Sequence, residues 1–240
     1  MQRFKTVINT RPAENQEELS DQLAMMGYDV VAAPMMKYEA VEYTQPNFNH
    51  YDAVVVSSLQ AFKVFKGKIP TNIPLFVVGE HTADVIAEED HYKIAAVGET
   101  MSKLVTKLKK AYQTKRKNPD DIVVLYLSGE DINYDPYPRL EKTRIQMDRL
   151  IVYRAALKRI YPLELLQLLI RQEKAAVVFL SKRTAVQFTK LAEQYDMKYN
   201  LKFLTAYCFS KKIASSLGKR TYRDVQVAPK SDLTMLLGMF

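Results

Sequence analysis

The sequence has few of the residues from which metal sites, disulfides and glycine-rich phosphate loops are built. Among its 240 residues are 1 cysteine, 3 histidines, 7 glycines and no tryptophan. A single cysteine excludes an internal disulfide and a multi-cysteine metal site. No GxGxxG, Walker A, HExxH or GxSxG motif occurs. These absences argue against a nucleotide-binding enzyme, a zinc enzyme and a conventional hydrolase, and we expect no metal site.

Long hydrophobic runs are also absent. No run approaches the roughly 20 apolar residues needed to cross a bilayer, although 48% of the residues are hydrophobic and these are spread along the chain. The N-terminus shows no signal-peptide pattern. We therefore expect a soluble, cytoplasmic protein of one large or two modest domains. Cys208 is expected to be a small buried residue on a strand.

The formal net charge is +8. Such an excess suits nucleic acid, an acidic membrane surface or a polyanionic metabolite as partner. The densest basic stretch runs from Lys107 to Lys117, where a helix end passes into a linker. No helix-turn-helix, zinc-finger, RNP or KH signature accompanies it. A solvated helix face is the simpler interpretation, and salt-sensitive nucleic-acid binding is the alternative.

Short β-branched runs alternate with amphipathic stretches along the chain. Most runs are continuously apolar, which is typical of parallel strands covered on both faces, so the alternation predicts an α/β fold with doubly wound parallel sheets. The predicted strands are Thr6–Asn9, Asp29–Ala33, Ala53–Ser57, Leu75–Val78, Ile94–Val97, Ile122–Leu127, Ala176–Leu180, Phe203–Tyr207 and Val225–Ala228. Glu14–Met26 is a predicted helix with Leu19, Leu23 and Met26 on one apolar stripe.

Three pairs of segments repeat in the same order, about 120 residues apart, which predicts two copies of one fold. YDAVVVSSLQAF resembles KAAVVFLSKRTAVQF, LFVVGEHTADVI resembles LTAYCFSKKIASSL, and KTVINTRP resembles DIVVLYLSGE. Two extended segments, 32–46 and 149–163, fit neither copy's sheet and stand at equivalent places. If each passes from one lobe to the other, they form a two-stranded ladder between interleaved lobes, with a ligand cleft beside the hinge.

The predicted boundaries follow from that ladder. Lobe one comprises residues 1–34 and 157–240, lobe two comprises 46–148, and the ladder comprises 35–45 and 149–156. Small residues stand where strands end, at the ligand face of such sheets: Thr10, Ser57, Ser58, Gly79, Thr82, Ser128, Gly129, Ser181 and Ser210. Each alone suits a helix cap. As a set in a basic protein, they predict an anion site built on helix starts.

These segments resemble the uroporphyrinogen-III synthase family. The matching pieces are VINTRPAENQEELSDQLAMMGYDVVAAPMM, YDAVVVSSLQAF, VVGEHTADVI, VVLYLSGE, LIVYRA, VVFLSKRTAVQF and VAPKSDLTMLL, in the family's order. The resemblance implies two flavodoxin-like lobes joined by a two-stranded β-ladder. It also implies a cofactor-free hydro-lyase that cyclises hydroxymethylbilane with loss of water and inversion of ring D through a spiro intermediate.

The resemblance places the family's ladder tyrosine on Tyr153, which is expected to assist departure of the hydroxyl group; packing at the hinge is the alternative. Lys211 and Lys212 are expected to bind substrate carboxylates; exposed lysines at a helix start are the alternative. This chain reads FSKKIA where many members read IGxxTA, so Ser210 replaces glycine and Ile213 replaces threonine. Ile213 leaves open a degenerate member that binds tetrapyrrole without making the right isomer.

A binding module that closes on an anionic ligand without chemistry is a further alternative. The expected partner is hydroxymethylbilane, a polycarboxylate, with no nucleic acid and no membrane. We expect a monomer that makes at most a transient contact with the preceding pathway enzyme.

Overall fold

The computed structural model describes residues 4–65, 68–89, 91–113 and 122–240. Its strands are β1 Thr6–Asn9, β2 Asp29–Ala32, β3 Met36–Ala40, β4 Ala53–Val56, β5 Leu75–Val78, β6 Ile94–Gly98, β7 Ile122–Gly129, β8 Ile145–Leu157, β9 Ala175–Phe179, β10 Leu204–Cys208 and β11 Asp224–Val227. Its α-helices are α1 Gln16–Met25, α2 Leu59–Phe65, α3 Glu80–Ala87, α4 Met101–Gln113, α5 Tyr137–Leu140, α6 Leu163–Ile170, α7 Lys182–Gln194, α8 Lys211–Ala214 and α9 Leu233–Leu237.

The chain divides into two units, Met1–Tyr38 with Ala156–Phe240, and Glu39–Ala155. The chain passes between the units within β3 and within β8. Near these passages the Val41 amide donates to the Val152 carbonyl in the second unit. In the first unit the Lys158 amide donates to the Met35 carbonyl.

The first unit contains a parallel sheet in the order β11-β10-β9-β1-β2. Neighbouring residues of β1 enter different apolar clusters, because successive strand side chains point to opposite faces. Ile8 packs in a cluster with side chains of α6 and α7, whereas Val7 packs with Leu19 and Leu23 of α1 and with Leu236 of α9. Both faces of this sheet are therefore covered, which explains its continuously apolar strands.

The second unit contains a sheet in the order β3-β8-β7-β4-β5-β6. Its strands β8, β7, β4, β5 and β6 pair in parallel. Val54 and Val56 of β4 pack with α2 and α3, whereas Val55 packs with Leu104 and Leu108 of α4. The strand side chains again divide between two covered faces.

The two sheets confirm the repeat and the predicted fold class. The first unit runs β2-β1-β9-β10-β11, and the second runs β8-β7-β4-β5-β6. Strands of resembling sequence occupy the same place: β1 and β7, β9 and β4, β10 and β5. The first order is the flavodoxin-like 2-1-3-4-5. Each unit therefore combines the first two strands of one copy with the last three of the other.

Two local predictions are wrong. The segments 32–46 and 149–163 were expected to fit neither sheet, but β3 and β8 both belong to the six-stranded sheet. Strand β8 begins at Ile145 and pairs with β7 as far as Gly129↔Tyr153. Its buried Met147 and Val152 belong to the core of the second unit, which holds it in the sheet. Met26 lies just beyond the last residue of α1 and is 40% exposed, so it does not continue the buried stripe.

Other predictions concern the basic stretch, the cysteine and membrane spans. Lys107 to Gln113 form the end of α4, and residues 114–117 lie outside the described residues. Cys208 is buried at the end of β10, as expected. In the described ranges, no helix combines the length and apolarity needed to cross a membrane.

Candidate active site

A cavity of about 470 Å³ lies at the carboxyl ends of strands in the second unit. The carboxyl ends of parallel strands meet at one edge of a sheet, which is the usual ligand face. The lining includes residues of three strands or strand ends: Ser57 and Ser58 follow β4, Tyr126 and Gly129 belong to β7, and Tyr153 belongs to β8. Further lining comes from Thr100 and Met101 at the start of α4 and from residues 131–134 after β7.

A hydroxyl pair stands in this cavity. The Oη of Tyr153 lies 3.1 Å from the Oγ of Ser58. The same Oγ accepts the amide N–H of Ala61 at 3.2 Å, in the first turn of α2. Ser58 thus has one lone pair committed to the helix and keeps its own hydrogen and a second lone pair for Tyr153. The arrangement directs the phenol toward the start of α2.

Gly129 lies against the ring of Tyr153. A Cβ at position 129 would stand 2.7 Å from Cζ, 2.8 Å from Cε2 and 2.9 Å from Oη of that ring. The Glu130 amide also donates to the Tyr153 carbonyl at 2.8 Å. Only glycine allows the ring this close to the backbone of β7. Both predicted residues, Gly129 and Tyr153, are thereby brought together.

Arg149, which sequence reasoning missed, holds the turn that follows β7. Its Nε donates to the Ser128 Oγ at 2.8 Å, and its Nη2 donates to the carbonyls of Gly129 and Glu130 at 2.7 and 2.6 Å. The register of β8 shifts by one residue between Ile151 and Tyr153, so Arg149, paired with Tyr126, and Tyr153, paired with Gly129, lie on opposite faces of the sheet. The spacing of the two residues in the sequence therefore gave no signal for this supporting residue.

Tyr126 is a second phenol of the cavity wall that was not predicted. Burial raises the pKa of Tyr126 above its usual value. The positive charge of Arg149 and a hydrogen bond with Ser57 act in the opposite direction. Tyr126 is therefore a neutral phenol near neutral pH, able to donate a hydrogen bond but not to act as an anion.

Several of the other predicted residues of the second unit have structural roles. Ser57 lines the cavity, and its hydroxyl donates to the Leu127 carbonyl at 2.9 Å. Gly79 has φ of +88°, which favours glycine, and precedes α3. Thr82 is buried on the first turn of α3. Ser128 is fully buried and donates to the carbonyl of Gly129. The placement of Ser128 gives no support to its predicted contact with substrate.

Four predicted residues belong to the first unit. Thr10 is buried, and its hydroxyl donates to the Val178 carbonyl at 2.5 Å, so its predicted ligand contact has no support either. Ser181 caps α7 by accepting the amide of Thr184 at 3.1 Å. Ser210 precedes α8, and Lys211 is its exposed first residue. Ser181 and Ser210 follow the neighbouring strands β9 and β10, so they stand at one edge of the sheet.

Ile213, the departure from the family pattern, is a core residue. It is 5% exposed and packs in the apolar cluster that includes Ala206 and Cys208. Thr82 holds the matching place in the second unit and is 7% exposed. The side chain at this place is largely buried in both units, so isoleucine is accommodated by packing.

Neither a thiol nor a metal cluster adds to the chemistry of the described residues. Burial raises the pKa of the Cys208 thiol to about 12, so it carries no thiolate near neutral pH. No group of three histidine, cysteine or acidic residues in the described ranges is placed to hold a metal ion. The functional groups that line the cavity of Tyr153 are hydroxyls, phenols, amides and the carboxylate of Asp131.

Comparison with known proteins identifies the family. A model of the family described as uroporphyrinogen-III synthase HemD matches residues 17–238. The search of curated proteins found no match. The fold is similar to that of a uroporphyrinogen-III synthetase from Helicobacter pylori, at 19% identity and TM-score 0.64, with 98% of each chain covered. It is also similar to a mutant uroporphyrinogen III synthase from Thermus thermophilus, at 15% identity and TM-score 0.50, covering 98% of this chain and 96% of that one. The structural matches show the fold, and the family match shows membership: the chain belongs to the uroporphyrinogen-III synthase family.

Proposed function

We propose that this enzyme of tetrapyrrole biosynthesis cyclises hydroxymethylbilane to uroporphyrinogen III as a cofactor-free hydro-lyase. The observation that best supports the proposal is the Tyr153 hydroxyl, 3.1 Å from Ser58 in a cavity at the carboxyl edge of the sheet. A weak acid held in this way suits a reaction in which the substrate itself supplies the driving electrons.

The chemistry asks little of the protein's titratable groups. A pyrrole nitrogen of the substrate expels the terminal hydroxyl group, and Tyr153 donates its proton so that the group leaves as water. Ring D then attacks the azafulvene through its substituted carbon, and the spiro intermediate fragments and recloses with ring D inverted. The phenolate regains a proton when the last ring recovers aromaticity. A neutral phenol is well suited because it places no cation beside the developing azafulvenium.

The enzyme's main contribution is conformational. Closure without assistance gives the unrotated isomer, so the protein must hold the chain in the geometry that leads to the spiro intermediate. Polar groups of the cavity wall, including Ser57, Thr100 and Asn133, are proposed to orient the polycarboxylate. Ser181, Ser210 and Lys211 are proposed to bind carboxylates from the first unit, whose sheet edge they occupy.

The test is an isomer assay with freshly generated hydroxymethylbilane. The products are oxidised, and type I and type III uroporphyrins are separated for the parent, Tyr153→Phe and Ser58→Ala. Tyr199→Phe is the matched control, because Tyr199 is 63% exposed and outside the cavity. We expect type III in excess with the parent and the control, a large loss of rate with Tyr153→Phe, and a smaller loss with Ser58→Ala.

Two results would redirect the proposal. Type I product alone, at the rate seen without enzyme, would indicate a degenerate or binding member of the family. An unchanged rate for Tyr153→Phe would leave the synthase activity in place and remove Tyr153 from the chemistry. A cytoplasmic location, a monomeric state and a transient contact with the preceding pathway enzyme stay predictions.

A further inference from the structure

A second concave site lies on the second unit. It is a groove of about 720 Å³, lined by Thr106, Lys109 and Lys110 of α4 and by Pro138, Arg139 and Lys142. It shares no lining residue with the cavity of Tyr153. Met101 lines that cavity, whereas Lys109 lies on the same helix about 12 Å farther along its axis. The groove is therefore separate from the candidate active site.

The described residues of this groove carry charge of positive sign only. Lys109, Lys110, Arg139 and Lys142 contribute four cations, and none of the described lining residues is acidic. In the described part of the chain none of these four forms an ion pair, whereas Lys103 of the same helix pairs with Glu99. Like charges that line one concavity reinforce the local positive potential.

Hydrogen bonds hold two of the cations in place. Arg139 Nη1 donates to the carbonyl and the hydroxyl of Ser102, at 3.2 and 2.9 Å. Lys109 Nζ donates to the Arg139 carbonyl at 3.3 Å. A guanidinium anchored through one nitrogen can present its other N–H groups to paired anionic oxygens. This ordering distinguishes the groove from a face of freely moving lysines.

We propose that this basic groove binds a compact polyanion that presents two or more phosphate or carboxylate groups. Several cations around a small concave volume match clustered anionic oxygens better than they match a single chloride or an extended surface. The partly ordered arginine suits bidentate contact, and the surrounding lysines act as point charges. The proposal does not depend on hydroxymethylbilane cyclisation, because the groove and the Tyr153 cavity have separate linings.

Titration calorimetry on the full chain tests the proposal with two probes, inorganic tripolyphosphate and citrate, at about 0.15 M salt, where long-range attraction is screened. The test variant is Lys109→Gln/Lys142→Gln. The control is Lys190→Gln/Lys219→Gln, which removes the same charge from two lysines of the first unit that lie outside the groove. Each lost charge-assisted hydrogen bond weakens binding by about tenfold. We therefore expect about a tenfold loss if one of the two lysines contacts the probe, about a hundredfold loss if both do, and an unchanged affinity for the control.

Preference for tripolyphosphate or for citrate identifies which anionic group the groove accepts. The proposal is wrong if neither probe binds the parent protein. It is equally wrong if the test variant binds as the parent does. An equal loss in both variants would attribute binding to the net charge of the protein and overturn the site. The isomer assay of each variant reports separately on the candidate active site.

Discussion

The close approach of Gly129 to Tyr153 gives a prediction with a definite size. In Gly129→Ala the new Cβ would lie 2.7 Å from ring carbon Cζ, whereas ordinary contacts begin near 3.4 Å. The ring must therefore move by about 0.7 Å, the difference between these distances. A displacement of this size directed away from Ser58 lengthens the 3.1 Å contact of Tyr153 with Ser58 to at most about 3.8 Å, beyond hydrogen-bonding range.

Strand pairing with Gly129 fixes the backbone of Tyr153, so the ring must yield through its side-chain torsions. Overpacking of this kind destabilises a protein by about 1–3 kcal/mol. For the role proposed for Tyr153, a displacement of this size lowers the rate by about 10- to 100-fold. We expect Gly129→Ala to lower kcat for type III product more than it changes KM, and to lower the denaturant midpoint.

Two controls isolate the contact. Gly238→Ala adds a Cβ whose nearest neighbour is at 3.4 Å, so its rate and stability should match the parent. In a Tyr153→Ala background the ring is gone, so the stability loss from Gly129→Ala should disappear. The reasoning is refuted if Gly129→Ala keeps the parent's rate and stability, or if its stability loss persists without the ring.

Three further predictions concern other parts of the molecule. Arg149→Met should lower the free energy of unfolding by about 2–3 kcal/mol, because its charged hydrogen bonds to the turn after β7 are lost. The control Arg154→Met breaks an exposed ion pair with Glu39 and should lower the free energy of unfolding by at most about 1 kcal/mol. Equal losses for the two variants in urea melts would contradict this expectation. Ile213→Thr should destabilise the chain by about 1–3 kcal/mol, because it buries a hydroxyl among apolar side chains, and a gain of stability would show the core interpretation to be wrong. The raised pKa of Cys208 stabilises the folded state fully below pH 9 and less as the pH rises toward 12, by about 1.4 kcal/mol per pH unit. Cys208→Ala should therefore flatten the fall of stability in this pH range, and an unchanged slope would exclude the effect.

Much of the backbone could be predicted because its signal is local. The predicted strands Thr6–Asn9 and Leu75–Val78 coincide with β1 and β5, and the second of them is a continuous apolar run. A strand buried on both faces needs apolar side chains at every position, so the run itself reveals it. The start of β8 at Ile145 was not predicted, because buried and exposed side chains alternate there instead of forming an apolar run. The same strand both pairs with β7 and carries the chain from one unit to the other.

The site was harder to predict because its contacts are non-local. Ser58 and Ser128 both follow apolar strands and look alike in sequence. Only the packed structure leaves Ser58 beside Tyr153, 95 positions away, and buries Ser128 under Arg149, 21 positions away. A hydroxyl's partner depends on distances that no local pattern encodes.

The sequence by itself determined the α/β class, most strand positions, the internal repeat and the family. These follow from apolar periodicity and from the order of recurring segments, which folding preserves. Tertiary structure alone decided which strand-end hydroxyls line the cavity, that Gly129 adjoins the phenol of Tyr153, and that Arg149 holds the turn behind it. It decided these because parallel pairing brings distant segments to one sheet edge, where packing leaves some side chains exposed and covers others.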